Sequence, residues 1–271
     1  MPNIERTGWR DRALVNWHWR HNLHCRAAGI RLLMLEYNRG TPVAVIDYRR
    51  YEDGVPNLDH PVYRAISELA GDLPFYLAYY DQRFGFCLYP VNATARGKLF
   101  NKPHLASESA YVRWQWNIRT GQAMRPARAA LSDVKPQRSP DLPAGVPSIL
   151  QLDGTSWMGE EISRRHREWG DDTPVVDLDF LLIDNNTAAP LALVEYKHAV
   201  AGAVPLSHPN IIAQKNFAQG RVPFFVVRYW NQPEWKFQPL LPAAPEMSEQ
   251  QWIDRLRALR KGIDQREGIA A

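Results

Sequence analysis

The chain has 271 residues, is 45% hydrophobic and carries a formal net charge of +4, enough apolar material for one large or two modest cores. Two cysteines, Cys25 and Cys87, exclude a disulfide-scaffolded secreted domain. No apolar run reaches 18 residues and the opening MPNIERTGWRDR is polar, so the sequence predicts a soluble, cytoplasmic protein with no signal peptide and no membrane partner.

In chain order, the first periodic segment is 9–20, where Trp9, Ala13, Leu14 and Trp17 share a helical face. Apolar stretches 31–36 and 43–48 follow, separated by NRGTP as in a hairpin connection. Pro61 opens a helix over 61–71, with Tyr63, Ile66, Leu69 and Ala70 inward. Strands are predicted at 75–80 and 84–89, and another helix near 107–122. The plan then recurs: a helix at 157–168, strands at 176–183 and 191–197 around DNNTAAP, a helix at 209–219 behind Pro209, and strands at 223–229 and 235–238. The tail 248–261 reads as a helix with Ser248 as N-cap, Gln251 completing a capping box, and Trp252, Leu256 and Leu259 on one face.

This recurrence is an internal duplication. Shifted by 148 residues, RLLMLEYNRGTPVAVIDYR (31–49) lies over DFLLIDNNTAAPLALVEYK (179–197) without a gap, and His60-Pro61 meets His208-Pro209. One inserted residue later, PFYLAYY (74–80) meets PFFVVRY (223–229). We divide the chain into a first repeat (1–92), a basic connector (93–149), a second repeat (150–242) and a C-terminal helix (243–271). Residues 91–148 hold nine Lys and Arg against three acids, beside Trp114 and Trp116. Such a segment is either a solvated linker or a surface for nucleic acid, with Arg113 and Arg119 on its helix.

Comparison of the repeats separates chemistry from scaffold. Asp179, Glu195 and Lys197 stand where the first repeat has Arg31, Asp47 and Arg49. Glu161 replaces the inward Ala13, Gln214 replaces the inward Ile66, and Lys215 replaces Ser67. Carboxylates on neighbouring strands suit a hard divalent cation, which polarises a phosphate and lowers the pKa of a bound water. A lysine beside them can orient or deprotonate that water, or stabilise charge on the phosphate. The plainer alternative is a structural ion-pair network. His208 and His60, ahead of helix-opening prolines, read as caps, whereas His198 beside Lys197 reads as either a phosphate contact or an idle exposed side chain.

The set Asp179, Glu195-Tyr196-Lys197, Glu161, and Gln214 with Lys215, spread over about 157–230, resembles the PD-(D/E)XK nuclease superfamily. The resemblance implies an α/β fold of two restriction-endonuclease-like sandwiches, each a mixed central sheet flanked by helices. It also implies Mg²⁺, with Mn²⁺ as a substitute, held by Asp179, Glu195 and Glu161. Lys197 and Gln214 would complete a catalytic set, and Lys215, His198, Arg113 and Arg119 would contact nucleic acid, with DNA the expected substrate. The PD half is not literal, because Asp177 and Asp179 both precede the apolar FLLI. The first repeat lacks the helix Glu, the first Asp and the Lys, so it is expected to be inactive. Two other readings stay open: a silent nucleic-acid-binding module, and a protein-interaction component that kept the fold. Self-association is also left open.

Overall fold

The sequence PLALVEYKH is apolar on both alternating faces through Val194, and as a strand, Pro190–His198, it is buried on both faces through Tyr196. Such a strand belongs inside a sheet with a layer on either side. The computed structural model describes residues 14, 17–18, 20–21, 23, 30–34, 40–50, 61–80, 85–96, 105–120, 175–178, 180–184, 187 and 189–267. They form β1 (Ile30–Met34), β2 (Pro42–Arg50), α1 (Pro61–Ala70), β3 (Phe75–Tyr80), β4 (Phe86–Pro90), α2 (Ala93–Arg96), β5 (Leu105–Ala106) and α3 (Glu108–Thr120). After these come β6 (Val175–Asp177), β7 (Phe180–Ile183), β8 (Pro190–His198), α4 (Pro209–Ala218), β9 (Phe224–Trp230), β10 (Lys236–Leu241), β11 (Met247–Ser248) and α5 (Glu249–Glu267).

The strands make two mixed sheets, in the orders β5-β4-β3-β2-β1-β6 and β11-β10-β9-β8-β7. The connectivity is the same in both. An antiparallel hairpin (β1–β2, β7–β8) leads through a helix (α1, α4) into a parallel neighbour (β3, β9), followed by an antiparallel strand (β4, β10). A parallel pair needs a crossover, which the two helices supply. This is a two-sheet α/β architecture with flanking helices, as the element order predicts.

The hairpins differ by one residue. Arg31 opposes Ile46 and Phe180 opposes Val194, so the first strands of the repeats align at an offset of one more than the ungapped 148. The counterpart of Arg31 is therefore Phe180 rather than Asp179. The stretch 176–183 is also not one strand. Val175–Asp177 pairs with β1 in the first sheet, and only Phe180–Ile183 joins the second.

The inward faces of both sheets share one core. Val45, Leu77 and Tyr79 of the first sheet, and Leu181, Leu193 and Val226 of the second, pack with Ile66 and Leu69 of α1 and Ile211 and Phe217 of α4. Helix α4 touches β1, β2 and β6 on one side and β8 and β9 on the other, while α1 touches β8. The chain also crosses over at Gly40, whose φ is 59°. Its carbonyl accepts a bond from Asn216 Nδ2 at 3.2 Å. A Cβ there would stand 2.8 Å from Ile212 Cγ2 and 2.9 Å from the backbone N of Ala213.

Two further layers cover the outer faces. Helix α3 lies on the first sheet, with Tyr111 and Val112 against Tyr48, Tyr76 and Phe86. On the second sheet α5 contributes Trp252, Ile253 and Leu256, joined by Leu14, Trp17 and Leu23 from the start of the chain. The two arrangements match at one hydroxyl each. Tyr111 donates to the Tyr48 hydroxyl at 2.8 Å, and Trp252 Nε1 donates to the Tyr196 hydroxyl at 3.1 Å. His18 Nε2 lies 2.9 Å from that same Tyr196 oxygen. Trp17 Nε1 donates to Glu249 Oε1 at 2.7 Å, which ties the first residues of the chain to the last helix. The capping box expected at α5 is formed: Gln251 N donates to Ser248 Oγ at 3.3 Å, and Ser248 N to Gln251 Oε1 at 2.8 Å. No helix among the described residues is long and apolar enough to cross a membrane.

Burial lowers the His18 pKa from 6.5 to about 3, with the neighbouring His21 adding to the effect. Between those values the unfolded chain binds a proton here that the folded chain does not. His18 therefore favours folding fully above pH 6.5, and its contribution is lost as pH falls from 6.5 toward 3. Unfolding midpoints in urea are expected to drop more steeply over that window for the natural chain than for His18→Gln, which keeps a polar partner for the Tyr196 hydroxyl. Gly40→Ala is expected to cost about 1–3 kcal/mol in the same assay, through its positive φ and the clash with α4.

Candidate functional site

Residues two apart on a strand project from one face. Glu195 and Lys197 lie on the face of β8 that carries Leu193 into the shared core, while Val194 and Tyr196 point to the outer layer. Glu195 is 4% exposed. One carboxylate oxygen, Oε1, pairs with Lys197 Nζ, and the other, Oε2, accepts a bond from Gln214 Nε2 at 2.9 Å. Gln214 reaches it from the middle of α4 and is 2% exposed. The acid is thus closed in on both oxygens, while Lys197, with a third of its side chain exposed, forms the rim.

The first repeat holds a counterpart. Arg49 Nε donates to Asp47 Oδ2 at 3.0 Å, and the Tyr63 hydroxyl donates to the same oxygen at 3.1 Å. Tyr63 sits one helical turn before Ile66, the residue matching Gln214. Both repeats therefore bury an acid with a cation two residues on and a donor from the following helix, although the donors come from different turns.

The structure places the other expected residues as follows. Asp179 and Glu161 lie outside the described residues. Asp177 belongs to β6, paired with Arg31 in the first sheet, whereas Glu195 is in the second. Lys215 is exposed on α4 beside the buried Gln214. His198 is an N-cap: its Nδ1 accepts from Val200 N at 3.3 Å and its Nε2 lies 3.2 Å from Asn231 Oδ1. His208 caps α4 in the same manner, accepting from Asn210 N at 3.2 Å. On α3, Arg113 is exposed, and the Arg119 guanidinium carbon stands 4.5 Å from the Trp116 ring centre. That helix covers the outer face of the first sheet, so it does not bring Arg113 and Arg119 to the inward-facing Glu195 and Lys197.

Among the described residues no group of three or more His, Cys, Asp or Glu is placed to hold a metal ion, and Glu195 is the one described member of the expected carboxylate set. Comparison with protein-family models, with curated proteins and with solved structures finds no match for this chain.

One residue escaped the sequence reading. Arg228 on β9 is the direct register partner of Lys197 on β8. The signal was present in the aligned strips PFYLAYY and PFFVVRY, where Tyr79 becomes Arg228.

A buried carboxylate that loses its cation keeps its desolvation cost. Lys197→Met alone is therefore expected to destabilise the chain more than the double replacement Glu195→Leu/Lys197→Met. Gln214→Leu is expected to cost about 1–3 kcal/mol by leaving Glu195 Oε2 without its donor. Urea unfolding of the natural chain, Lys197→Met, Glu195→Leu and the double variant, compared as a double-mutant cycle, measures the first effect, and unfolding of Gln214→Leu measures the second.

Proposed function

We propose that the second repeat is a metal-dependent phosphodiesterase acting on nucleic acid, with DNA as substrate, on a restriction-endonuclease-like sandwich. The observation that carries this reading is the triple contact of Glu195, Lys197 and Gln214 at the end of β8. An acid, a lysine two residues on and a glutamine from the next helix are the elements of the PD-(D/E)XK pattern that the described residues include. The topology supports it too, since hairpin, helix and parallel strand surround the pair.

The donor chemistry fits a hard cation. Each Glu195 oxygen makes one contact and has a further lone pair for Mg²⁺ or Mn²⁺. The holding set would be Glu195 with Asp179 and Glu161. The cation, when bound, polarises the phosphate and acidifies a water. Lys197, one third exposed, offers N–H donors to a phosphate oxygen as charge builds on it. Gln214 fixes the Glu195 carboxylate, so the acid does not reorient during that change.

A second reading is favoured by the Asp47–Arg49 pair. It has the same form in a repeat without the other catalytic elements, so acid–cation pairing here serves the fold, and the chain would be a silent nucleic-acid-binding or protein-interaction module. Incubation with labelled duplex, single-stranded and junction DNA and with RNA, in Mg²⁺, Mn²⁺ or EDTA, separates the two. The expected outcome is cleavage that stops in EDTA and falls roughly 10²–10⁴-fold in Lys197→Ala, Glu195→Gln and Asp179→Ala. Salt-sensitive binding without cleavage selects the silent module.

A further inference from the structure

We propose that Arg228 seats the phosphate backbone of the nucleic acid beside Lys197. The inference rests on the second repeat being a nucleic-acid site. It adds a positioning contact that the acid–lysine pattern does not contain.

Strand register sets the geometry. Lys197 opposes Arg228 across the parallel β8–β9 pair, and Arg228 opposes Gln238 across the antiparallel β9–β10 pair. Register partners project to the same side, and this side is the inward one, because Phe224 and Val226 precede Arg228 at alternate positions in the shared core. Lys197, Arg228 and Gln238 therefore form a row of N–H donors across three strands spaced about 4.8 Å apart. The row lies near the carboxyl ends of β8 and β9. In open α/β sheets, ligands bind outside the carboxyl ends of parallel strands.

Charge then indicates the ligand. Two cations directly opposite on one face repel each other. The acid closest along β8, Glu195, is already engaged by Lys197 and Gln214. Among the described residues Arg228 has no carboxylate partner. Its Nη2 donates to the carbonyl oxygen of Gly202 at 3.1 Å, and its Nε is buried without an acceptor. The guanidinium is thus tethered by a neutral backbone oxygen, half-exposed, next to an ammonium. An anion bridging the two would relieve their repulsion, and a phosphodiester offers oxygens to both. The first repeat provides the contrast: Arg49 opposes Tyr79, so a single cation stands there, and it is paired with Asp47. The added charge belongs only to the repeat that carries the acid–lysine–glutamine set.

The test is fluorescence anisotropy of a labelled duplex DNA oligonucleotide and of its single strand, in EDTA so that no cleavage intervenes, over a series of KCl concentrations. Losing one phosphate contact is expected to reduce the slope of log K against log [KCl] by about 0.9 on duplex or about 0.7 on single strand. Arg228→Gln and Arg228→Tyr should show this reduction, and Arg228→Lys should keep the natural slope. Thermal midpoints identify which variants are folded, and either neutral variant with an unchanged midpoint decides the matter. A folded neutral variant with the natural slope and affinity overturns the assignment, as does a natural chain that binds neither oligonucleotide. The two readings fail separately. Absence of cleavage in every divalent cation overturns the hydrolase while a reduced slope still supports Arg228. Cleavage with an unreduced slope overturns Arg228 alone.

Discussion

The constraint on which the structure depends is that neither sheet can cover its inner face alone. Helices α1 and α4 lie between the sheets, and the apolar residues of each meet strands of both repeats. A helix that packs against two sheets gives most of its surface to apolar residues and leaves only a narrow solvent-facing strip, on α4 the one that carries Lys215. The core positions of α4 are accordingly Ile211, Ala213, Phe217 and Ala218, with one polar exception, Gln214. That exception is tolerable because a partner meets it at hydrogen-bond distance. The placement of Glu195 is therefore a consequence of the sandwich: the strand supplies the acid, and the central helix supplies its donor.

The paired acids also show how the same strand-and-helix connectivity carries two different polar contacts. Asp47 with Arg49 and Glu195 with Lys197 occupy the same strand positions, and both acids are deeply buried. The arginine of the first repeat is buried as well, whereas the lysine of the second reaches solvent. A planar guanidinium closed onto an aspartate makes a sealed structural contact. A longer glutamate with a rim-exposed ammonium keeps the same charge balance but presents it to the outside. The helix donors differ correspondingly, a tyrosine from one turn and a glutamine from the next. The ion pair is thus sealed in one repeat, while in the other its acid stays buried and its lysine reaches solvent.

Much of the fold was legible because it is written in local patterns. The proline-opened helices, the capped C-terminal helix and most apolar strands follow from spacing and turn chemistry; the two proline-opened helices end within a residue of expectation, whereas α5 runs on to Glu267, six residues beyond its expected end. Gln214 was legible as a polar residue at an inward position, and the structure gives it its partner. The one-residue difference between the hairpins was not legible, because an ungapped alignment absorbs it where turn residues carry no fixed pattern. Nor was the transfer of Val175–Asp177 to the first sheet, which depends on edge pairing between segments far apart in sequence. Arg228 was visible as a letter, but its significance required the register that sets it against Lys197. His198 looked like a free side chain near the site, yet the backbone it caps lies two residues further on.

The way the second sheet is finished bears on how the chain comes to exist. Its outer layer needs Leu14, Trp17 and His18 from one end and Trp252 and Glu249 from the other. Contacts of such sequence separation place the topology among slow-forming folds of high contact order. During synthesis Leu14 and Trp17 are made long before α5, and the layer they pack into is incomplete until α5 follows. For that interval Trp17 and Leu14 are apolar groups without their final layer. Without α5, Trp17 would lose both the Glu249 carboxylate it donates to and the Trp252 layer it packs with, so removing the one element unseats the other.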